Sequence, residues 1–365
     1  MSFKILTECY RVQYIVLMNG FSILLVSGLP LAKSSSFKRQ LELLGRFFGK
    51  RNIQTTLIGP ETNINGVVKN KSINAALLLG YPDQFPFLKR EKDMRIPVYL
   101  WAQLSKPVDS TAIGSVIPIP LTPITKEFLE ESGVDEIGPI IPHGVDTEIF
   151  YPFSRQKRET LKKRYGFEGC FVVGTVGANT TRKRLEKVIE AFSYFSAEIT
   201  DSILFIKTDR KKDIEGTDLG EIAQKSGVSG KVEIVEGEFD EPKMAEVYNL
   251  MDVYITLSEW EGFCIPVIEA MACGVPVITH EVQGPGEIVP YRDLIVPGSR
   301  RIYDGKTLLL HSDPIEASRV IKKAYESRSL LTQLGELGRK EVKNRYDIRV
   351  VAKKWEELFQ SGANS

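Results

Sequence analysis

Metal-binding and cross-linking side chains are scarce: the 365 residues include three histidines and four cysteines, and Cys9, Cys170, Cys264 and Cys273 form no C-x-x-C pair. That spacing excludes a zinc ribbon and a disulfide framework, and it fits reduced thiols in a cytoplasmic protein. An excess of one charge sign is missing as well. Lys and Arg number 48 against 47 Asp and Glu, a formal net charge of +1, so the chain as a whole carries no electrostatic footprint for nucleic acid. No Asp-x-Asp pair occurs, which removes a common carboxylate handle for a metal-bound diphosphate. Solenoid-length repeats and low-complexity tracts are absent too.

What is present is length and alternation. A chain of 365 residues is long enough for two domains, each with its own core. Val12 to Ala32 holds no charged side chain and follows Lys4 and Arg11, features shared with signal peptides and membrane anchors. Asn19, Gly20, Ser22, Ser27, Gly28 and Pro30 interrupt the run and make it a poor helix for lipid. The pattern therefore predicts a short buried strand from Phe21 to Ser27, with Met18 an alternative start to Met1.

Apolar runs at Ile23 to Val26, Thr55 to Ile58, Ala75 to Leu79 and Val98 to Trp101 are separated by polar segments, including a helix expected from about Ser36 to Lys50. Runs without period-two alternation suit a parallel sheet covered on both faces. Near residue 168 a second set begins: Phe171 to Val176, Ile203 to Lys207, Val232 to Val235, Val253 to Leu257 and Val275 to Thr279. The fold class is thus α/β, with doubly wound domains at 1–152 and 168–340 facing a cleft at the carboxyl ends of their strands, and a C-terminal helix and tail at 341–365. The segment Pro118 to Pro123 is proline-rich. Thr122 and Pro123 predict an N-cap and first helical residue, with the helix ending near Gly133. The last helical pattern runs from Leu334 to Phe359, anchored by Trp355 and Leu358.

Two segments carry chemistry. From Ser258 to Ile278 a strand gives way to a loop with Glu259 and Glu261, then to a helix starting near Gly262 to Pro266 and capped by Gly274. The amides of Phe263, Cys264 and Ile265 would open that helix as an anion site. Glu269 stands in an otherwise apolar helix, where a buried carboxylate needs donors; ribose hydroxyls would supply them, and solvent or a surface lysine is the other reading. In the segment Val173 to Phe192, Gly177 lies in a loop after a strand, and Arg182 and Lys183 sit at the opening of the next helix. Cations there oppose the helix dipole unless an anion such as a diphosphate binds.

Glu261 and Glu269, eight residues apart in E-G-F-C-I-P-V-I-E-A-M-A-C-G-V-P-V-I, resemble the signature of retaining GT-B glycosyltransferases, the group with phosphatidylinositol mannosyltransferases and sucrose-phosphate synthases. The resemblance implies two Rossmann-like domains with a C-terminal helix crossing back to the first, an N-terminal acceptor-binding domain and a C-terminal nucleotide-sugar-binding one. It places Glu261 against the donor sugar, Glu269 on the ribose, and Lys183 on the donor diphosphate. Arg182 stands in for an arginine usual at the position of Ala178. Cys264 replaces the usual glycine. Gly284-Pro-Gly-Glu287 matches a loop whose amides approach the donor, and Ile141-Pro-His143-Gly-Val-Asp146 matches a structural turn with His143 in place of Asn.

The implied activity is retaining, metal-independent transfer of a hexosyl group from a UDP- or GDP-sugar to a sugar or lipid-linked acceptor, with no separate cofactor. On the acceptor side Gly28 occupies the loop after the first strand, and Gln103 falls where the family usually has His. A nucleotide-sugar epimerase or hydrolase on the same fold, or a silent binding subunit, is the alternative. The helix 37–50 carries Lys38, Arg39, Arg46 and Lys50 beside Leu41, Leu44, Phe47 and Phe48. It reads either as a core helix or as a peripheral contact at the inner face of a membrane.

Overall fold

The computed structural model describes residues 20–363 apart from 32–34, 61, 63, 71, 90–95, 214, 216, 282 and 304–306. Cys9, the choice between Met1 and Met18, and most of the uncharged run before Gly20 lie outside the described residues.

Five parallel strands form the first sheet: β1 (Ser22–Ser27), β2 (Gln54–Ile58), β3 (Ala75–Gly80), β4 (Val98–Ala102) and β5 (Ile117–Pro120), in the order β2-β1-β3-β4-β5. Helices α1 (Ser36–Gly49), α2 (Ile64–Asn70) and α3 (Pro123–Glu131) accompany it. The central strand β3 is buried along its whole length, as an apolar run between two helical layers must be. Pro118 and Pro120 of the proline-rich segment belong to β5. That strand pairs with β4 alone, and an edge strand tolerates the missing N–H groups. Thr122 caps α3 through Thr125 N–H at 3.3 Å, with Pro123 next in line.

The second sheet follows α4 (Arg155–Arg164). It comprises β6 (Phe171–Val176), β7 (Ser202–Lys207), β8 (Val232–Val235), β9 (Val253–Ile255), β10 (Val277–His280) and β11 (Ile295–Val296), in the order β11-β10-β9-β6-β7-β8. Between and after these strands run α5 (Leu185–Glu198), α6 (Leu219–Lys225), α7 (Glu241–Leu250), α8 (Ile265–Ala272) and α9 (Gln283–Ile288). A separate antiparallel hairpin, β12 (Gly298–Tyr303) and β13 (Thr307–Ser312), precedes α10 (Pro314–Glu326) and α11 (Arg328–Glu341).

The single helical pattern expected from Leu334 to Phe359 is broken. A π turn at Val342–Tyr346 and an extended Asp347 separate α11 from α12 (Ile348–Ala363). The break is where the chain crosses between domains: Val145 N–H donates to Tyr346 O at 2.9 Å and Ile348 N–H to Val145 O at 3.0 Å. Beyond it α12 completes the first domain's core. Trp355 meets Trp101 edge-on with ring centres 5.3 Å apart, and Phe359 meets Tyr99 at 5.5 Å. Phe359, rather than the partly buried Leu358, is the second anchor.

Helix α1 is a core helix. Phe37, Leu41, Leu44, Phe47 and Phe48 are all buried, and Arg46 reaches across to Glu241 at 2.8 Å. Of the two readings of this helix the core one describes its apolar stripe, which lies inside the protein. No helix among the described residues is long and apolar enough to cross a membrane.

Candidate active site

Strands β6 and β9 are neighbours in the second sheet, so the loops leaving their carboxyl ends are brought together. Glu259 N–H donates to Arg182 O at 2.8 Å and ties one loop to the other. Glu261 then lies between two cations, accepting from Lys183 Nζ and lying 2.9 Å from an Arg182 guanidinium nitrogen. The carboxylate is 7% exposed. Burial alone would raise its pKa, but Lys183 and Arg182 outweigh it and hold the group at about 2. It is a carboxylate at any physiological pH. Arg182 also donates to Trp260 O at 3.3 Å and lies over the Trp260 ring, 4.8 Å from its centre.

Arg182 and Lys183 do not belong to the first turn of α5. They form a short 3-10 turn, Thr181–Lys183, and Arg184 follows at φ 51° before the helix begins at Leu185. This left-handed residue turns its guanidinium onto Glu259, a second ion pair beside the first. Sequence spacing gave no sign of Arg184, because its role depends on a backbone reversal.

Helix α8 starts at Ile265, with Cys264 as N-cap at φ 76° and Pro266 in its first turn. Gly274, at φ 71°, ends it. The amides of Phe263, Cys264 and Ile265 have no acceptor among the described residues, so they remain available to an anion. The left-handed backbone at Cys264 is one that glycine adopts without cost. The Cys264 thiol is pushed up to about 12, by burial first and then by Glu261. Gly284 faces the same loop, but as a spacer: a Cβ there would lie 2.7 Å from Phe263 O and 2.8 Å from Phe263 N. Gly177 adjoins Lys183, where a Cβ would make ordinary contact at 3.5 Å.

Glu269 faces neither solvent alone nor a surface lysine. Tyr248 O–H donates to its Oε2 at 2.6 Å, from a tyrosine wholly buried in α7. Burial raises the Glu269 pKa, against the pull of Arg39 and the Tyr248 hydrogen bond. The carboxylate opens on a cavity of about 580 Å³ between the domains, lined by Arg39 and Gln40 of α1 and by Phe239, Glu241 and Ile265.

On the first domain Gln103 reaches the cleft. Its side-chain amide packs so closely on Gly262 that a Cβ at 262 would overlap it, which sets Gln103 beside the Glu261 loop. Gly28 stays inside its own domain: its N–H donates to Leu79 O at 2.8 Å, and Gln84 fills the space above it. Gln84 Oε1 in turn accepts from Tyr81 N–H at 2.8 Å. Tyr81 was not singled out by the sequence, yet its phenol is in electrostatic reach of Arg182 and Glu261. It also borders a second cavity of about 870 Å³ with Asp83, Lys106 and Asp109. His143 is buried between Trp101 and Phe263, at ring-centre distances of 4.7 and 5.1 Å. Burial lowers its pKa to about 3. Glu287 crosses the cleft to accept from Ile124 N–H of α3 at 2.9 Å.

Residues 157–340, half of the chain, match the family model described as Glycosyl transferases group 1. This chain belongs to that family. Among the curated proteins it resembles a GDP-mannose-dependent alpha-mannosyltransferase of Mycolicibacterium smegmatis, at 30% identity over 42% of this chain and 35% of the relative. A mannosylfructose-phosphate synthase of Agrobacterium fabrum is 28% identical over 38% of this chain and 31% of the relative. The chain thus spans about a third of the length of these relatives. A solved sucrose-phosphate synthase of Thermosynechococcus elongatus superposes with a TM-score of 0.76 over 94% of this chain and all of that one, at 17% identity. The architecture of this group 1 member is GT-B: two Rossmann-like domains with the Glu261 loop at their cleft.

Proposed function

We propose that this group 1 member is a retaining, metal-independent glycosyltransferase that takes a hexosyl group from a UDP- or GDP-sugar and passes it to a sugar or lipid-linked glycan. The observation that carries this reading is the buried Glu261 carboxylate held ionised by Lys183 and Arg182. Cations next to the free amides of residues 263–265 suit a departing diphosphate, by preorganised charge rather than by a Lewis acid. A carboxylate beside them suits the positive charge that grows on the anomeric carbon. As the bond from that carbon to the diphosphate oxygen breaks, the acceptor oxygen bonds on the same face, and its proton passes to the departing phosphate. Glu269, with one oxygen fixed by Tyr248, takes the ribose hydroxyls. The relatives named for GDP-mannose and the Anabaena structure solved with UDP-glucose support a nucleotide sugar as donor.

The test is a panel of UDP- and GDP-sugars with and without acceptor extracts, in the presence of EDTA. Transfer with retained configuration, insensitive to EDTA, is expected. Donor consumption without an acceptor product would identify a hydrolase or epimerase. Binding of no donor in a thermal-shift assay would remove the enzyme reading.

A further inference from the structure

Arg39 and Arg46 are first-domain cations lining the cavity that Glu269 closes from the second, and Arg46 is already paired with Glu241. The Arg39 guanidinium makes no hydrogen bond or ion pair with any described residue, although its neighbour Lys38 on α1 is engaged with Leu31 O and Glu42. Across the cavity the Glu269 carboxylate accepts from Tyr248 O–H at Oε2, and Glu269 lines the space between the domains. Gln40, the next residue on α1, is fixed to the interdomain turn by reciprocal hydrogen bonds with Gly144, at 2.9 and 3.0 Å. That pair sets where α1 stands over the cavity, and with it where Arg39 enters.

We propose that Arg39 and Tyr248 are positioning residues for the donor: Tyr248 orients the Glu269 carboxylate from within its own domain, and Arg39 faces the same cavity from the opposite one, so that tight donor binding requires both domains. This rests on the reading of Glu269 as the ribose carboxylate. Glu42, Arg46, Asp146 and Asp240 border the same cavity, and the groups in electrostatic reach of Glu269 are Arg39 on α1, Glu241 and Tyr248 on α7, Tyr254 on β9 and Cys273 at the end of α8. Arg39 is the cation of this set. Burial raises the Glu269 pKa, while Arg39 and Tyr248 pull it down and Glu241 pushes it up. Loss of Arg39 or Tyr248 therefore moves it further up, and a protonated Glu269 accepts less well from ribose hydroxyls.

The experiment measures the Kd of UDP and GDP by calorimetry between about pH 5 and pH 8 for wild type, Glu269→Gln, Arg39→Gln and Tyr248→Phe. Glu269→Gln should weaken binding about tenfold at every pH, the loss of a charge-assisted hydrogen bond. Arg39→Gln should weaken it mainly at the acid end and approach wild type as the pH rises, whereas Tyr248→Phe should add to that acid-end loss a smaller one that persists at high pH, where the carboxylate is charged but no longer oriented. Equal affinity of Arg39→Gln and wild type, or a loss that does not change with pH, would overturn the proposal. If wild type binds neither nucleotide, the nucleotide-sugar reading fails. If it binds but Glu269→Gln is neutral, the ribose assignment fails and takes this proposal with it.

Discussion

The two domains present opposite kinds of surface to the cleft. On the second, the polar groups are already paired: Glu261 with Lys183 and Arg182, Glu259 with Arg184, Glu269 with Tyr248. On the first, Gln103 and Tyr81 arrive from loops, and the cavity beside them is bordered by the exposed side chains of Asp83, Lys106 and Asp109. A buried charge must be matched within the protein because water cannot reach it, so the second domain's side of the cleft is built in advance. The first domain's side is not under that constraint, and Gln103 and Tyr81 reach it from the turns that follow β4 and β3.

Four perturbations would break or sharpen this contrast, from the largest effect to the smallest. Glu261→Gln should lower kcat by about 10²- to 10³-fold, the range for removal of a preorganised charge, while leaving acceptor KM unchanged; steady-state kinetics with both substrates varied checks this. At His143 the folded pKa of about 3 lies below the unfolded value near ~6.5. The unfolded chain thus binds the extra proton first. Stability is complete above that value and falls with pH by about 1.4 kcal/mol per unit down to the folded pKa. His143→Leu should remove this component, about 2 kcal/mol between about pH 6.5 and pH 5, as read from urea titrations. Gly262→Ala should cut transfer about tenfold by displacing the Gln103 contact, and Gln103→Ala should restore most of it in the double variant. Cys264→Gly should change stability by less than about 1 kcal/mol, because relief of the left-handed backbone is offset by the added freedom of glycine.

Legibility in the sequence followed the same division. Glu261, Glu269, Lys183, Arg182 and the Phe263-Cys264-Ile265 amides lie in two continuous segments, and strand and helix alternation there needed no tertiary information. Tyr248, Arg39 and Tyr81 come together only through packing, from elements far apart in the chain, and no local pattern marks them. The β5 strand was missed because its prolines argue against a sheet until its place at the edge is known. The broken C-terminal pattern was missed because α11 and α12 are both amphipathic, and the π turn between them keeps the apolar rhythm going.

Helix α12 gives the molecule an order of events. Tyr99, Trp101 and Phe48 are covered by Trp355 and Phe359, which leave the ribosome some 250 residues after the strand they cover. The first domain to be synthesised is therefore the last to be finished, and its aromatic cluster stays open until the second domain is already made.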